Sequence, residues 1–243
     1  MKSIKSHMRL AALAAAVSAT TLAHAQTLEM TSVYPGTFPI IGEIGQEIGK
    51  RMDLISGGDL SLNFNEPGAL VPAPEAWDAV STGAVAAAWY SPGFAQGIIP
   101  SAAMFTSVPF GPEAPEYLAW YYHGGGQEIW EEISAGHNVK PVLCSTIPPE
   151  ASGWFREPIE TLDDLQGKKM RFFGLGARVM EKLGVSAQTL PVGDTVPALE
   201  LGTIDAAEIS MPVSANATAG SQGWASSCGA VSAMCSRAVR STW

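Results

Sequence analysis

The feature that most constrains this chain is an alternation between two hydrophobic periods along most of its length. Thr27–Val33 places Leu28 and Met30 on alternate positions before a β-branched end, the pattern of a strand. Ile41, Ile44, Ile48, Met52 and Ile55 then recur three or four residues apart, the mark of a helix with one apolar face. Period two returns over Asp59–Phe64, through Leu60, Leu62 and Phe64. A turn at Glu66-Pro67-Gly68 follows, then a short helix over Pro74–Ser81 stopped by Gly83, and a buried strand over Ala84–Tyr90 ending at Ser91-Pro92-Gly93. This β-α-β-α-β order predicts a mostly parallel sheet covered by helices on both faces.

The second half repeats the grammar. Val139–Thr146 reads as a strand, and Trp154-Phe155 as part of another. Thr161 opens a one-turn helix with Asp164 three residues on, a variant of the capping box. Lys168–Phe173, Ala187–Leu190 and Ile204–Ile209 read as strands, with helices over Ala177–Leu183 and Asp194–Leu201 between them. Pro197 is expected in the tolerated first turn of the latter. Two βαβ units predict two lobes with a cleft between them, and open α/β sheets take ligands at the carboxyl ends of their strands.

At the amino terminus, Lys2, Lys5 and Arg9 precede the apolar run Leu10–Val17, and Ala23-His24-Ala25 forms a small-residue cleavage site before Gln26. That is the layout of a secretory signal peptide, and the apolar run is too short for a membrane anchor. Removing residues 1–25 takes three of the 14 Lys+Arg and none of the 23 Asp+Glu, leaving a net charge of −12. An acidic exported protein is a poor partner for nucleic acid, although one buried arginine can still set a local field for a small anion. Cys144, Cys228 and Cys235 form neither a disulfide framework nor a zinc site, and Cys144, in an apolar stretch, reads as a small buried hydrophobe.

Several motifs lose their meaning in context. His123-Gly124-Gly125-Gly126 matches an esterase oxyanion loop, but no G-x-S-x-G elbow accompanies it. The glycines are read instead as the end of a helix over Glu113–Tyr122. Gly174-Leu175-Gly176 lacks the third glycine of a dinucleotide site and reads as a strand-to-helix turn. No nucleophile, base and orienting acid can be assembled, so the chain is expected not to be an enzyme.

The segment 148–212 carries a more specific signal. Pro148-Pro149-Glu150-Ala151-Ser152-Gly153-Trp154-Phe155-Arg156 leads into Leu162-Asp163-Asp164-Leu165-Gln166-Gly167-Lys168-Lys169-Met170-Arg171, and Ala198-Leu199-Glu200-Leu201-Gly202-Thr203-Ile204-Asp205-Ala206 follows a helix. With Trp89-Tyr90 and Val108-Pro109-Phe110-Gly111 upstream, this resembles the DctP-type solute-binding proteins of TRAP transporters over about residues 27–213. The resemblance implies a periplasmic receptor of two hinged α/β lobes, 26–149 and 150–213. Such a receptor closes on a small organic carboxylate (a 2-oxo, 2-hydroxy or dicarboxylic acid) before docking to small and large membrane subunits.

In that family the arginine ending the K-M-R strand forms a bidentate pair with the ligand carboxylate; the matching residue is Arg171. The chemistry is sound in itself, because a guanidinium offers a rigid fork of donors matched to a carboxylate. Arg156 is a further candidate, or an exposed loop charge. Tyr90, Trp154 and Phe173 are expected pocket walls, with Tyr34, Trp89 and Phe94 as others. No cofactor is required, but some relatives of this kind bridge ligand and protein with calcium or sodium, and the resemblance puts that ion on Glu150 and Glu208. Two carboxylates facing a third repel it unless a hard cation intervenes. On the other reading, Glu150 caps a strand and Glu208 faces solvent.

Residues 214–243 depart from the pattern, with no acid and neither hydrophobic period. They read as an atypical, disordered tail, of the kind that a truncation or a shifted reading frame after about residue 213 produces, which leaves the second lobe incomplete. The alternatives to a functional receptor are an exported hydrolase and a truncated gene product without function.

Overall fold

The computed structural model describes residues 25–147, 150 and 153–209. The signal-peptide region, the tail from 214 on, and Cys228 and Cys235 lie outside them.

The first half is built on three parallel strands, β1 (Gln26–Ser32), β2 (Leu60–Asn65) and β3 (Ala87–Trp89), in the order β2-β1-β3. Pairing runs from Gln26 opposite Leu60 to Thr31 opposite Asn65 on one side of β1, and from Met30 opposite Ala87 to Ser32 opposite Trp89 on the other. A crossover helix is what parallel pairing demands. Here it is α1 (Ile41–Ser56) between β1 and β2, and α2 (Ala76–Ser81) between β2 and β3.

Helix α1 forms where the isoleucine spacing places it, but it does not bury the expected face. Ile41 and the glycines Gly42, Gly45 and Gly49 are buried, while Ile55 is 85% exposed. Those glycines are needed for close approach: a Cβ on Gly45 would lie 2.8 Å from the Trp89 ring, and one on Gly49 would run into the Leu62 carbonyl. The indole N–H of Trp89 donates to the Ile41 carbonyl at 3.0 Å and ties the helix start to β3.

Beyond β3 come α3 (Ala114–His123) and α4 (Gly126–Ala135). The triple glycine ends one and begins the next, with Gly125 at φ +88° between them. The expected strand over 139–146 does not form. A strand needs a hydrogen-bonded neighbour, and this stretch instead lays Val139 and Leu143 against the aromatic cluster of Trp77, Phe105, Tyr121 and Trp130. Cys144 is accordingly exposed, not buried.

The second half holds four strands in the order β4-β7-β5-β6: β4 (Trp154–Phe155), β5 (Lys169–Arg171), β6 (Ser186–Gln188) and β7 (Ala206–Ala207). The three later strands run parallel, and β4 pairs antiparallel with β7. Thr161 caps a 3-10 turn over Leu162–Leu165 with Asp164, as its spacing predicts. Helix α5 (Gly174–Lys182) begins at Gly174, so Gly174-Leu175-Gly176 is its first turn and not a connecting turn. In α6 (Val192–Glu200) Pro197 is the sixth residue, one turn deeper than expected. The carbonyl that loses its donor belongs to exposed Gly193, where water can serve.

Phe38 and Ile41 from the first half and Trp154, Val192, Leu199, Ile204, Ala207 and Ile209 from the second make one buried cluster. This apolar seam brings the carboxyl ends of the two sheets together. Among the described residues no helix is long and apolar enough to cross a membrane.

Candidate functional site

The site is assembled from residues at or just past strand ends. On the second sheet, Arg171 closes β5 and Glu208 follows β7. Parallel pairing of Arg171 with Ala207 lets the Glu208 N–H donate to the Arg171 carbonyl at 2.9 Å. The same register brings the two side chains together. Arg171 Nη1 donates to Glu208 Oε2 at 2.7 Å and also to the Glu208 carbonyl, while Nε donates to the Leu190 carbonyl at 3.3 Å. The side chains are 4% and 8% exposed, so the ion pair is desolvated. Taking such charges out of water costs several kcal/mol per ion, which only good geometry and further hydrogen bonds offset. Among the described residues Arg171 is the only buried cation.

From the first sheet, β1 ends in a local hydrogen-bond exchange. The Ser32 hydroxyl donates to the Tyr34 carbonyl at 2.6 Å and accepts from the Tyr34 N–H at 3.0 Å. This turn projects the Tyr34 ring against Phe38, with centroids 6.3 Å apart and planes nearly parallel. The phenol is hydrogen-bonded to Ser91, and Glu150, Arg171 and Glu208 all act on it through space. Burial, the largest influence, drives its pKa far above the usual phenol range, so Tyr34 is a neutral group facing charged ones. Ser91 in turn shares a 2.8 Å hydrogen bond with the Thr106 hydroxyl. Tyr90 lies beside Phe94 and Trp77, and burial holds its phenol protonated as well.

Tyr90 Oη and Trp154 Nε1 are buried without a hydrogen-bond partner among the described residues, as are Thr31 Oγ1, Trp77 Nε1 and Ser134 Oγ. An orphaned buried donor costs about 1–3 kcal/mol unless a water or ligand serves it.

Arg171, Glu208, Glu150 and Ser91 thus all act on the Tyr34 phenol. Glu208 is buried, against the solvent-facing reading, whereas Glu150 is exposed. Trp154 is buried in the seam. Phe173 packs its ring on Phe94 at 4.6 Å. Arg156 stands apart: it is exposed, its guanidinium lies over Gly202, and its N–H donates to the Asp205 carbonyl. Ser91 and Thr106 carry no sequence signal, since hydroxyls in a Pro/Gly-rich loop are commonplace. Among the described residues no group of three or more His, Cys, Asp or Glu side chains comes together. Glu150 and Glu208 each offer carboxylate oxygens, the donor chemistry a hard cation takes, and both act electrostatically on the Tyr34 phenol.

The family model for bacterial extracellular solute-binding proteins, family 7 (DctP), matches residues 31–220, most of the chain. The chain belongs to that family. A monocarboxylate 2-oxoacid-binding periplasmic protein of Nostoc sp. is 39% identical over 183 residues, 74% of this chain and 49% of the relative. A TRAP transporter solute-binding protein of Bordetella bronchiseptica, with calcium and picolinate in its active site, superposes with a TM-score of 0.77 at 30% identity, over 84% of this chain and 60% of that one. A TRAP periplasmic solute-binding protein of Pseudoalteromonas atlantica, with sodium and pyruvate, gives 0.64 at 30% identity, over 76% and 56%. The chain thus spans about half to three-fifths of the length of these DctP-family relatives, and its mixed α/β fold is theirs.

Proposed function

We propose that this chain is the periplasmic solute-binding receptor of a TRAP-type uptake system. Its ligand is a small organic carboxylate, it releases that ligand unchanged, and it delivers it to small and large membrane subunits. One observation carries the reading. The buried guanidinium of Arg171, ion-paired with Glu208 at the strand ends, faces neutral aromatic and hydroxyl groups contributed by the other sheet. A guanidinium offers a fork of donors matched to a planar anion, and the Glu208 pairing holds that fork in place at the strand end.

The relatives sharpen the ligand class. Pyruvate and picolinate, bound in the Pseudoalteromonas and Bordetella proteins, each carry a carboxylate next to a second donor atom on the adjacent carbon. A 2-oxo acid is therefore the ligand class favoured here over a simple dicarboxylate. Glu150 and Glu208 would hold a calcium or sodium ion, which when bound would neutralise the repulsion between three carboxylates. Glu208 would then face the cation while remaining tied to Arg171, fixing both groups at one distance from the ligand.

Titration calorimetry of the 243-residue chain with pyruvate, lactate and propionate tests this. Binding is expected in the order pyruvate, lactate, propionate, weakened by EDTA in sodium-free buffer and restored by either cation. Equal affinity for propionate and pyruvate would remove the 2-oxo reading. No binding of any of the three would favour the truncated product without function as the reading of this chain.

A further inference from the structure

Two kinds of contact join the halves of the molecule, and they differ in depth. The apolar seam is buried throughout: Ile204 and Ala207 are fully buried and Leu199 is 3% exposed. The second contact is half-exposed. Phe173, the residue before α5, lays its ring on Phe94 at 4.6 Å, and the ring tip enters the space over Gly93. A Cβ at Gly93 would lie 2.6 Å from Phe173 Cε1, nearer still to Cζ, and 3.0 Å from Thr106 Cγ2. Gly93 itself is buried, with an ordinary negative φ, so its lack of a side chain serves the approaching ring and not the backbone.

We propose that Gly93 is a notch and Phe173 the bolt that enters it, a latch that sets how readily the two halves hold together. The proposal rests on the two-lobe receptor reading and deepens it, giving Phe173 a positioning role in place of a wall against ligand. A half-exposed aromatic pair belongs to the low-stability end of a structure and parts before a buried seam does. One such pair shifts an equilibrium by on the order of tenfold. Phe94 forms the floor and Thr106 the side of the notch. Thr106 also holds Ser91, the hydroxyl bonded to Tyr34, so the latch and the candidate site share a residue.

The test compares Gly93→Val, Phe173→Ala and the double variant on the full chain. Amide hydrogen exchange without ligand reads the latch directly. Gly93→Val is expected to raise exchange about tenfold at 91–95 and 173–176 while leaving β1 and β5 protected. Unchanged exchange at 91–95, or equal deprotection of β1 and β5, overturns the latch. Pyruvate affinity with calcium present is the second readout. Gly93→Val is expected to weaken it about tenfold, and the double variant to return to the level of Phe173→Ala alone, because the clash needs the ring. A loss that Phe173→Ala does not relieve overturns the proposal. If the parent chain shows no pyruvate binding but the exchange pattern appears, the ligand reading fails and the latch stands.

Discussion

The two walls of the candidate site are built alike and furnished differently. Each places its groups at the carboxyl ends of neighbouring parallel strands: Tyr34 and Tyr90 past β1 and β3, Arg171 and Glu208 at the ends of β5 and β7. The first wall is neutral, with phenols whose burial keeps them protonated and hydroxyls paired with one another. The second is charged and desolvated. Topology thus fixes where these groups gather, while the residue at each strand end fixes their chemistry. On the proposed reading, the charged wall supplies most of the binding energy and the neutral wall the fit.

The strongest way to break that contrast is Arg171→Met. It strands the Glu208 carboxylate in a buried position, and stability is expected to fall by about 3–5 kcal/mol, with carboxylate binding lost. Adding Glu208→Leu should recover most of the melting temperature and none of the binding, which calorimetry and thermal melts together would show. On the neutral wall, Tyr34→Phe removes one hydrogen bond to Ser91. Affinity is expected to drop by about 0.5–1.5 kcal/mol, with the fold intact by far-UV circular dichroism. Arg156→Ala tests whether any arginine near this sheet would serve. Being exposed and away from the cluster, it should change stability by no more than about 0.5 kcal/mol and leave affinity unaltered.

The smallest effect concerns a group outside both walls. Asp164 is held below the usual carboxylate range by the backbone N–H groups of Thr161 and Glu160 and by the Thr161 hydroxyl. A depressed folded-state pKa contributes stability above the unfolded value of about 4, lost as pH falls through the lower folded value. Asp164→Asn should therefore melt below the parent chain at neutral pH and converge with it in acid.

Much of this was legible in the residues. Period-two runs located β1 and β2, and the K-M-R motif singled out Arg171 at the end of β5 through its family resemblance. The partner of Arg171 was not legible. Glu208 lies 37 positions away, and only the β5–β7 register decides whether it meets a guanidinium or water. Helix α4 went unread although Ile129, Trp130 and Ile133 have helical spacing, because the glycines before it signalled an end more strongly than a beginning. The apolar character of Val139–Thr146 led to no strand, since it reports that some side chains turn inward and not whether the backbone finds a neighbour. Tyr34 with Ser91 depends on where a loop folds back, which no local pattern encodes.

The glycine stripe of α1 has a consequence for how this protein tolerates change. Its helix-to-sheet spacing is set by backbone touching side chain and carbonyl, so every replacement at Gly42, Gly45 or Gly49 is an addition to a full space. Among the described residues, Leu54 and Ile55 stand largely in solvent, at 80% and 85% exposure. A saturation scan of this helix would therefore show an inverted profile, with polar residues accepted where the greasiest ones stand and even alanine refused where side chains are missing.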